Sequence, residues 1–193
     1  MLPKRLFPWI FMLPFLAACA SSGGLPVSGA PAGDAKAMLA RAHKALEQGQ
    51  LAAARQGFAA VAEQDGVTPA VRAVALANLG VTLTRMERDE EAVNALEAAR
   101  LDAPENARIH FDLGVVYRKL GQYDKVRESY LKAAKLAPDN PDVWYNLGIL
   151  YELYLEDAKA AASAYQRYID GGGPEAERVG TWLQTLRQRQ AAE

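Results

Sequence analysis

This sequence carries very little with which to do chemistry. Its 193 residues include one cysteine and two histidines. A single cysteine cannot close an internal disulfide, so no covalent framework supports the fold. His43 and His110 have no neighbours at metal-ligand spacing, and no His/Cys/Asp/Glu cluster reads as a metal site. There is no G-x-S-x-G nucleophile turn and no phosphate loop; Gly171-Gly172-Gly173 lacks the Lys and Ser/Thr that would follow in one. The formal charge of −1 is too close to neutral for a nucleic-acid binder. Together these absences argue against an enzyme, a cofactor, a small-molecule substrate and a nucleic-acid ligand.

What the chain does have is a beat. Leu147, Gly148 and Tyr151 are followed backwards, 34 positions earlier, by Leu113, Gly114 and Tyr117, and 34 earlier again by Leu79 and Gly80, with Leu83 in the tyrosine's place. Pro104 and Pro138 keep the same interval. Self-similarity at a period of this size marks a stacked repeat array. Within 107–140, Leu113, Tyr117 and Leu120 follow a helical period, and Gly121 breaks it after a basic last turn. Val126, Tyr130 and Ala133 define a second apolar face, and Pro138 to Pro141 closes the unit with turn chemistry. Each unit therefore reads as two helices, with Gly114 and Ala133 small where they approach.

These residues resemble the tetratricopeptide repeat (TPR) family. In its pattern W-x-x-L-G-x-x-Y lies on the first helix, followed by a small residue, an aromatic, another small residue and a terminal proline. The unit 73–106 supplies Leu76, Leu79, Gly80, Ala92, Leu96, Ala99 and Pro104. The unit 107–140 supplies Leu113, Gly114, Tyr117, Val126, Tyr130, Ala133 and Pro138. The unit 141–174 supplies Trp144, Leu147, Gly148, Tyr151 and Tyr165. That last unit holds one extra residue between Tyr151 and Tyr165, lacks the turn glycine, and has Tyr168 where a small residue is usual, which predicts looser or shifted packing. A degenerate first repeat, about 35–68, carries Gly49, Ala54 and Phe58 at the matching places, with Asp34 as the N-cap of its first helix. Gly66 to Pro69 then shifts the frame. The expected fold is all-α, a TPR solenoid of stacked antiparallel helix pairs over 34–173.

After the breaker Gly171-Gly172-Gly173-Pro174, Val179, Trp182, Leu183 and Leu186 recur at i, i+3, i+4, i+7, which predicts a capping helix and tail over 174–193.

The start of the chain reads differently. Lys4 and Arg5 precede an apolar run from Leu6 to Ala18, of about 13 residues, too short to span a bilayer comfortably. It ends in Leu16-Ala17-Ala18-Cys19. This resembles the bacterial lipoprotein signal, which implies a signal peptide over 1–18, cleavage before Cys19 and lipidation of that cysteine. An ordinary secretory signal with a chance cysteine is the blander alternative. Ala20 is not the aspartate associated with inner-membrane retention, so the resemblance implies the outer membrane's periplasmic face. Residues 19–33, rich in Gly, Ser, Ala and Pro, read as a flexible tether.

The TPR resemblance also implies a binding groove along the first helices, at the second, fifth, ninth and twelfth positions of each repeat. The fifth positions are Leu39, Ala77, Phe111 and Tyr145; the ninth are His43, Val81, Val115 and Ile149. Arg108 holds a second position, and Arg118 and Glu152 hold twelfth positions. The Lys and Asn of the family's carboxylate clamp are missing. His110 stands where Trp144 and Leu76 stand, so packing is its expected role. The strip suits a peptide or helix with hydrophobic anchors and an acidic flank. Small repeat lipoproteins of the Gram-negative envelope look similar, and the implied role is a lipid-anchored scaffold that binds a protein of a cell-envelope complex, of the pilus-secretin or TonB type. The alternative is a structural envelope lipoprotein that self-associates.

Overall fold

The computed structural model describes residues 32–192, and among them nine α-helices and no strand. They are α1 (Ala32–Glu47), α2 (Leu51–Ala62), α3 (Pro69–Arg85), α4 (Asp89–Asp102), α5 (Ala107–Lys119), α6 (Tyr123–Leu136), α7 (Pro141–Leu153), α8 (Ala158–Asp170) and α9 (Ala176–Ala192). The segment read as a signal peptide and Cys19 lie outside the described residues. Helix α1 already begins at Ala32, inside the segment read as tether. Asp34 is therefore not its cap but part of its first turn, where a carboxylate suits the positive end of the helix and pairs with Arg41 at 3.6 Å.

Consecutive helices pack as pairs, α1 with α2, α3 with α4, α5 with α6 and α7 with α8, and each second helix also meets the next first helix. The first helices after a connector carry side-chain caps. Thr68, Asn106 and Asn140 accept from the backbone N–H of Val71, Arg108 and Asp142, and Pro69 and Pro141 open α3 and α7. Inside each pair the chain reverses through one residue in the left-handed region: Gly49 (φ 72°), Glu87 (60°), Gly121 (69°) and Glu156 (53°). Two glutamates thus do the work of glycine, and the missing turn glycine of 141–174 is replaced by Glu156.

The glycine slot fixes the distance within a pair. An added Cβ at Gly80, Gly114 or Gly148 would fall 2.3–2.5 Å from Leu96, Tyr130 and Tyr165 respectively. Beneath it the core repeats in register. Ile109, Leu113 and Val116 of α5 are each 1% exposed, and Val143, Leu147 and Leu150 of α7 are equally buried. His110 and Trp144, one repeat apart, each hold a proline carbonyl of the preceding connector: His110 Nε2 meets Pro104 O at 2.7 Å, and Trp144 Nε1 donates to Pro138 O at 2.7 Å. His110 is a buried packing residue, as its repeat position implies.

Two expectations about the C-terminal end change. Packing around Tyr168 is not loose. Its ring is 3% exposed and covers Gly173, and its hydroxyl accepts from the Glu175 N–H at 2.9 Å. The glycine run is therefore a packed turn rather than a free linker, with Gly172 at φ 70°. Helix α9 does cap the stack through Val179, Leu183 and Leu186, but Trp182 stays 39% exposed and belongs to another face. Those three buried residues lie 36 positions after Val143, Leu147 and Leu150, so α9 repeats the first-helix register without a second helix to follow. Gln184, exposed, stands where that register has its glycine. Among the described residues no helix is long and apolar enough to cross a membrane.

Candidate functional site

Helix α1 touches α3, and α3 touches α5, in addition to their own partners. Helices α1, α3 and α5 therefore lie in one layer, which α7 continues by repeat register, and the groove positions fall along it. Leu39, His43, Ala77, Val81, Phe111, Val115, Arg118, Tyr145, Ile149 and Glu152 are all half-buried there, and Arg108 is exposed. Half-burial is what a groove wall requires, since one side of each residue packs on its own repeat and the other faces out.

The residues differ in how free they are. The His43 ring meets Phe58 edge-on at 5.0 Å, and Phe111 lies 5.6 Å from Tyr130. Tyr145 is sandwiched between Tyr168 at 5.3 Å and Trp182 at 6.4 Å, so it is part of the seat of α9 as well as of the groove. Arg108 does not stand free at the edge: its Nε donates to both carboxylate oxygens of Asp112, at 2.8 and 2.9 Å. Burial pushes the Asp112 carboxyl above its ordinary value, and Arg108 only partly offsets that. Glu152 accepts from the Tyr165 hydroxyl at 2.9 Å and pairs with Arg189 at 2.7 Å.

At the C-terminal end these contacts enclose a cleft of about 360 Å³. Its walls are Tyr145, Ile149 and Leu153 of α7 and Trp182, Thr185 and Arg189 of α9, with Glu152 and Tyr165 at the base. Leu153 is 65% exposed, a large apolar side chain at the mouth. Sequence reasoning had not placed Leu153, Trp182, Thr185 and Arg189 in the groove. The signal that finds the α9 residues is the 36-residue offset, which makes α9 a further groove-lining helix.

Comparison with known proteins agrees with this architecture. The family described as "TPR repeat" matches residues 116–153. No curated protein matches the sequence. Among solved structures, MamA 41-end from Desulfovibrio magneticus RS-1 superposes with a TM-score of 0.68 at 20% identity, over 81% of this chain and 85% of that one. A tetratricopeptide repeat protein from Parabacteroides merdae ATCC 43184 gives 0.64 at 19% identity, over 81% and 68%. The Yersinia enterocolitica type III secretion translocator chaperone SycD gives 0.57 at 17% identity, over 62% and 86%. The fold is an all-α TPR solenoid.

Proposed function

We propose that this TPR solenoid is a protein-interaction scaffold that holds a peptide or helix of a cell-envelope complex in its first-helix groove. In this reading Cys19 carries the lipid that anchors the chain at the periplasmic face of the outer membrane, and the Gly/Ser-rich stretch lets the solenoid reach its partner. A complex of the pilus-secretin or TonB type is the partner that the resemblance implies. The observation that carries the reading is the recurrence of half-exposed apolar residues, Val81, Val115 and Ile149, at one groove position of three successive repeats. The repeat core does not need them: Leu113, Leu147 and their equivalents already fill it. An aliphatic strip kept at the surface in register is what an amphipathic ligand buries.

Two variants test the reading. Ile149→Glu places a charge in the strip and should abolish co-purification of the envelope partner while the protein still melts cooperatively. Unchanged capture would remove the groove from the argument. Cys19→Ala should release the mature protein from the membrane fraction, because stable anchoring needs the acyl chains. A variant that stays bound after a high-salt wash would refute the lipid anchor.

Self-association remains the second reading, and one feature favours it. Leu101, 77% exposed, lines a largely apolar cleft together with Leu76 and Leu79. Light scattering of wild type and Leu101→Ser separates the two readings.

A further inference from the structure

The glycine slot recurs in three repeats, but the group that reaches across it does not meet the same fate in each. In the second repeat the slot of Gly80 is crossed by Leu96, which has no polar atom to satisfy, and Thr84 at the twelfth position bonds back to the Gly80 carbonyl at 2.9 Å. In the fourth repeat Tyr165 crosses Gly148, and its hydroxyl donates to Glu152, the twelfth-position residue, which also holds Arg189. In the third repeat Tyr130 crosses Gly114 with ring contacts of 2.3 and 2.4 Å to an added Cβ, the same values as for Tyr165. Its twelfth-position residue is Arg118, a cation, where the next repeat has Glu152. The Tyr130 hydroxyl, in a side chain with no solvent exposure, has no hydrogen-bond partner. The Arg118 side chain makes no ion pair or hydrogen bond with another described residue.

A buried hydroxyl without an acceptor and a guanidinium without an anion are each costly or idle alone. Side by side they lack one and the same group, a carboxylate. The surrounding charge agrees. The charges that act on the Tyr130 hydroxyl are those of Arg118 and Asp112, and Asp112 is already held by Arg108. One positive charge is left over. Phe111 and Val115, half-buried on the same helix, supply an apolar wall. Reaching the hydroxyl requires a side chain at the groove wall to move, and Arg118, held by no partner, is free to do so.

We propose that the third repeat binds an acidic side chain of a partner's peptide segment, whose carboxylate accepts from the Tyr130 hydroxyl and pairs with Arg118, in the place that Glu152 fills one repeat further on. An apolar residue of the same segment packs on Phe111 and Val115. Residues 1–33 of this chain contain no Asp or Glu, so that segment cannot supply the carboxylate side chain. The inference rests on the groove reading above and gives the ligand its chemistry.

The test uses random peptides displayed on phage and selected on the full-length protein in mild detergent. The expected pool is enriched in Asp or Glu beside a large apolar residue. Changing that acid to its amide in a synthetic lead peptide should weaken binding roughly tenfold, the scale of a charge-assisted hydrogen bond. Arg118→Gln and Tyr130→Phe, each checked for an intact thermal transition, should erase the difference between acid and amide. Asp112→Asn should widen it by removing the competing anion. A pool without acidic residues, no pool above background, or an acid preference that survives Arg118→Gln overturns the proposal. If peptides bind through apolar residues alone and lose binding with Ile149→Glu, the groove reading stands and the carboxylate site falls. If Ile149→Glu has no effect either, both fall. A mass by light scattering that drops from dimer to monomer on Tyr130→Phe would make the occupant a second copy, and would also overturn the proposal.

Discussion

The ring of Tyr130 lies across Gly114 so closely that a Cβ there would sit 2.3 Å from Cε1 and 2.4 Å from Cδ1. Helix propensity alone would favour almost any residue over glycine at this mid-helix position, by up to about 1 kcal/mol. Packing decides instead. Gly114→Leu should push α6 off α5 and lower stability by roughly 1–3 kcal/mol net, read as a fall in the urea midpoint. Gly80→Leu, the matched change, should cost less, because the Leu96 side chain it meets can rotate away more easily than a buried ring. Equal losses at the two sites would refute the role given to the ring.

The two left-handed glutamates lead to the opposite sign. A residue with a Cβ in that region is strained by roughly 1–2 kcal/mol, and glycine is not. Glu87→Gly and Glu156→Gly should each raise stability, by up to about 1 kcal/mol after the extra chain entropy of glycine is set against the relief. Gly121→Ala should lower it by about the same amount. Denaturant unfolding of the three variants measures this directly.

Tyr130 and Tyr165 provide a matched pair for the hydroxyl. Tyr165→Phe removes a bond to Glu152 and should cost about 1 kcal/mol. Tyr130→Phe removes a hydroxyl that is bonded to nothing and should leave the urea midpoint unchanged or raise it. Burial holds the Tyr130 phenol up at about 12, so it stays protonated and a donor throughout the neutral range. A clear loss on Tyr130→Phe would mean an acceptor is present.

Asp112 should make stability depend on pH in a defined direction. Its folded carboxyl is raised above the ordinary value of 3.8 by burial, so the folded state holds the proton more tightly than the unfolded chain. The stabilisation from that proton is full below about 3.8 and is lost as pH rises through the folded value. Asn78 and Asn146 occupy the same repeat position, and each donates to the carbonyl four residues earlier, at 2.7 and 2.8 Å. Asp112→Asn should therefore stabilise the protein at neutral pH, with the gain fading as the solution is acidified below the Asp112 transition. Thermal melts of both proteins across that range show whether the two curves converge.

Much of this was legible in the sequence because the helices bury the same positions each time. Leu79, Leu113 and Leu147, the three glycines, and Leu96 and Tyr130 that cross the first two follow from the period alone, while Tyr165 is found by allowing for the one extra residue before it. The Glu87 and Glu156 turns did not, because a left-handed residue is recognised in a sequence only when it is glycine or asparagine. Tyr168 was misleading for a physical reason: it fills a space that the next turn leaves, and a pattern built on a small residue cannot show that space. The groove positions were placed by register, but the period carries no information on which of them are already engaged. Tyr145 is held by Trp182 and Glu152 by Arg189, contacts made by a helix that stands outside the 34-residue frame.

The glutamine at 184 bears on how large an assembly this chain can build. A further copy adding to the C-terminal end would have to lay an aromatic across α9 as Tyr165 lies across α7, and that needs a bare backbone at the crossing. Gln184 puts a long polar side chain there. A helix laid on α9 could not come as close to it as α8 comes to α7, so this one residue weighs against extending the stack by the same crossing.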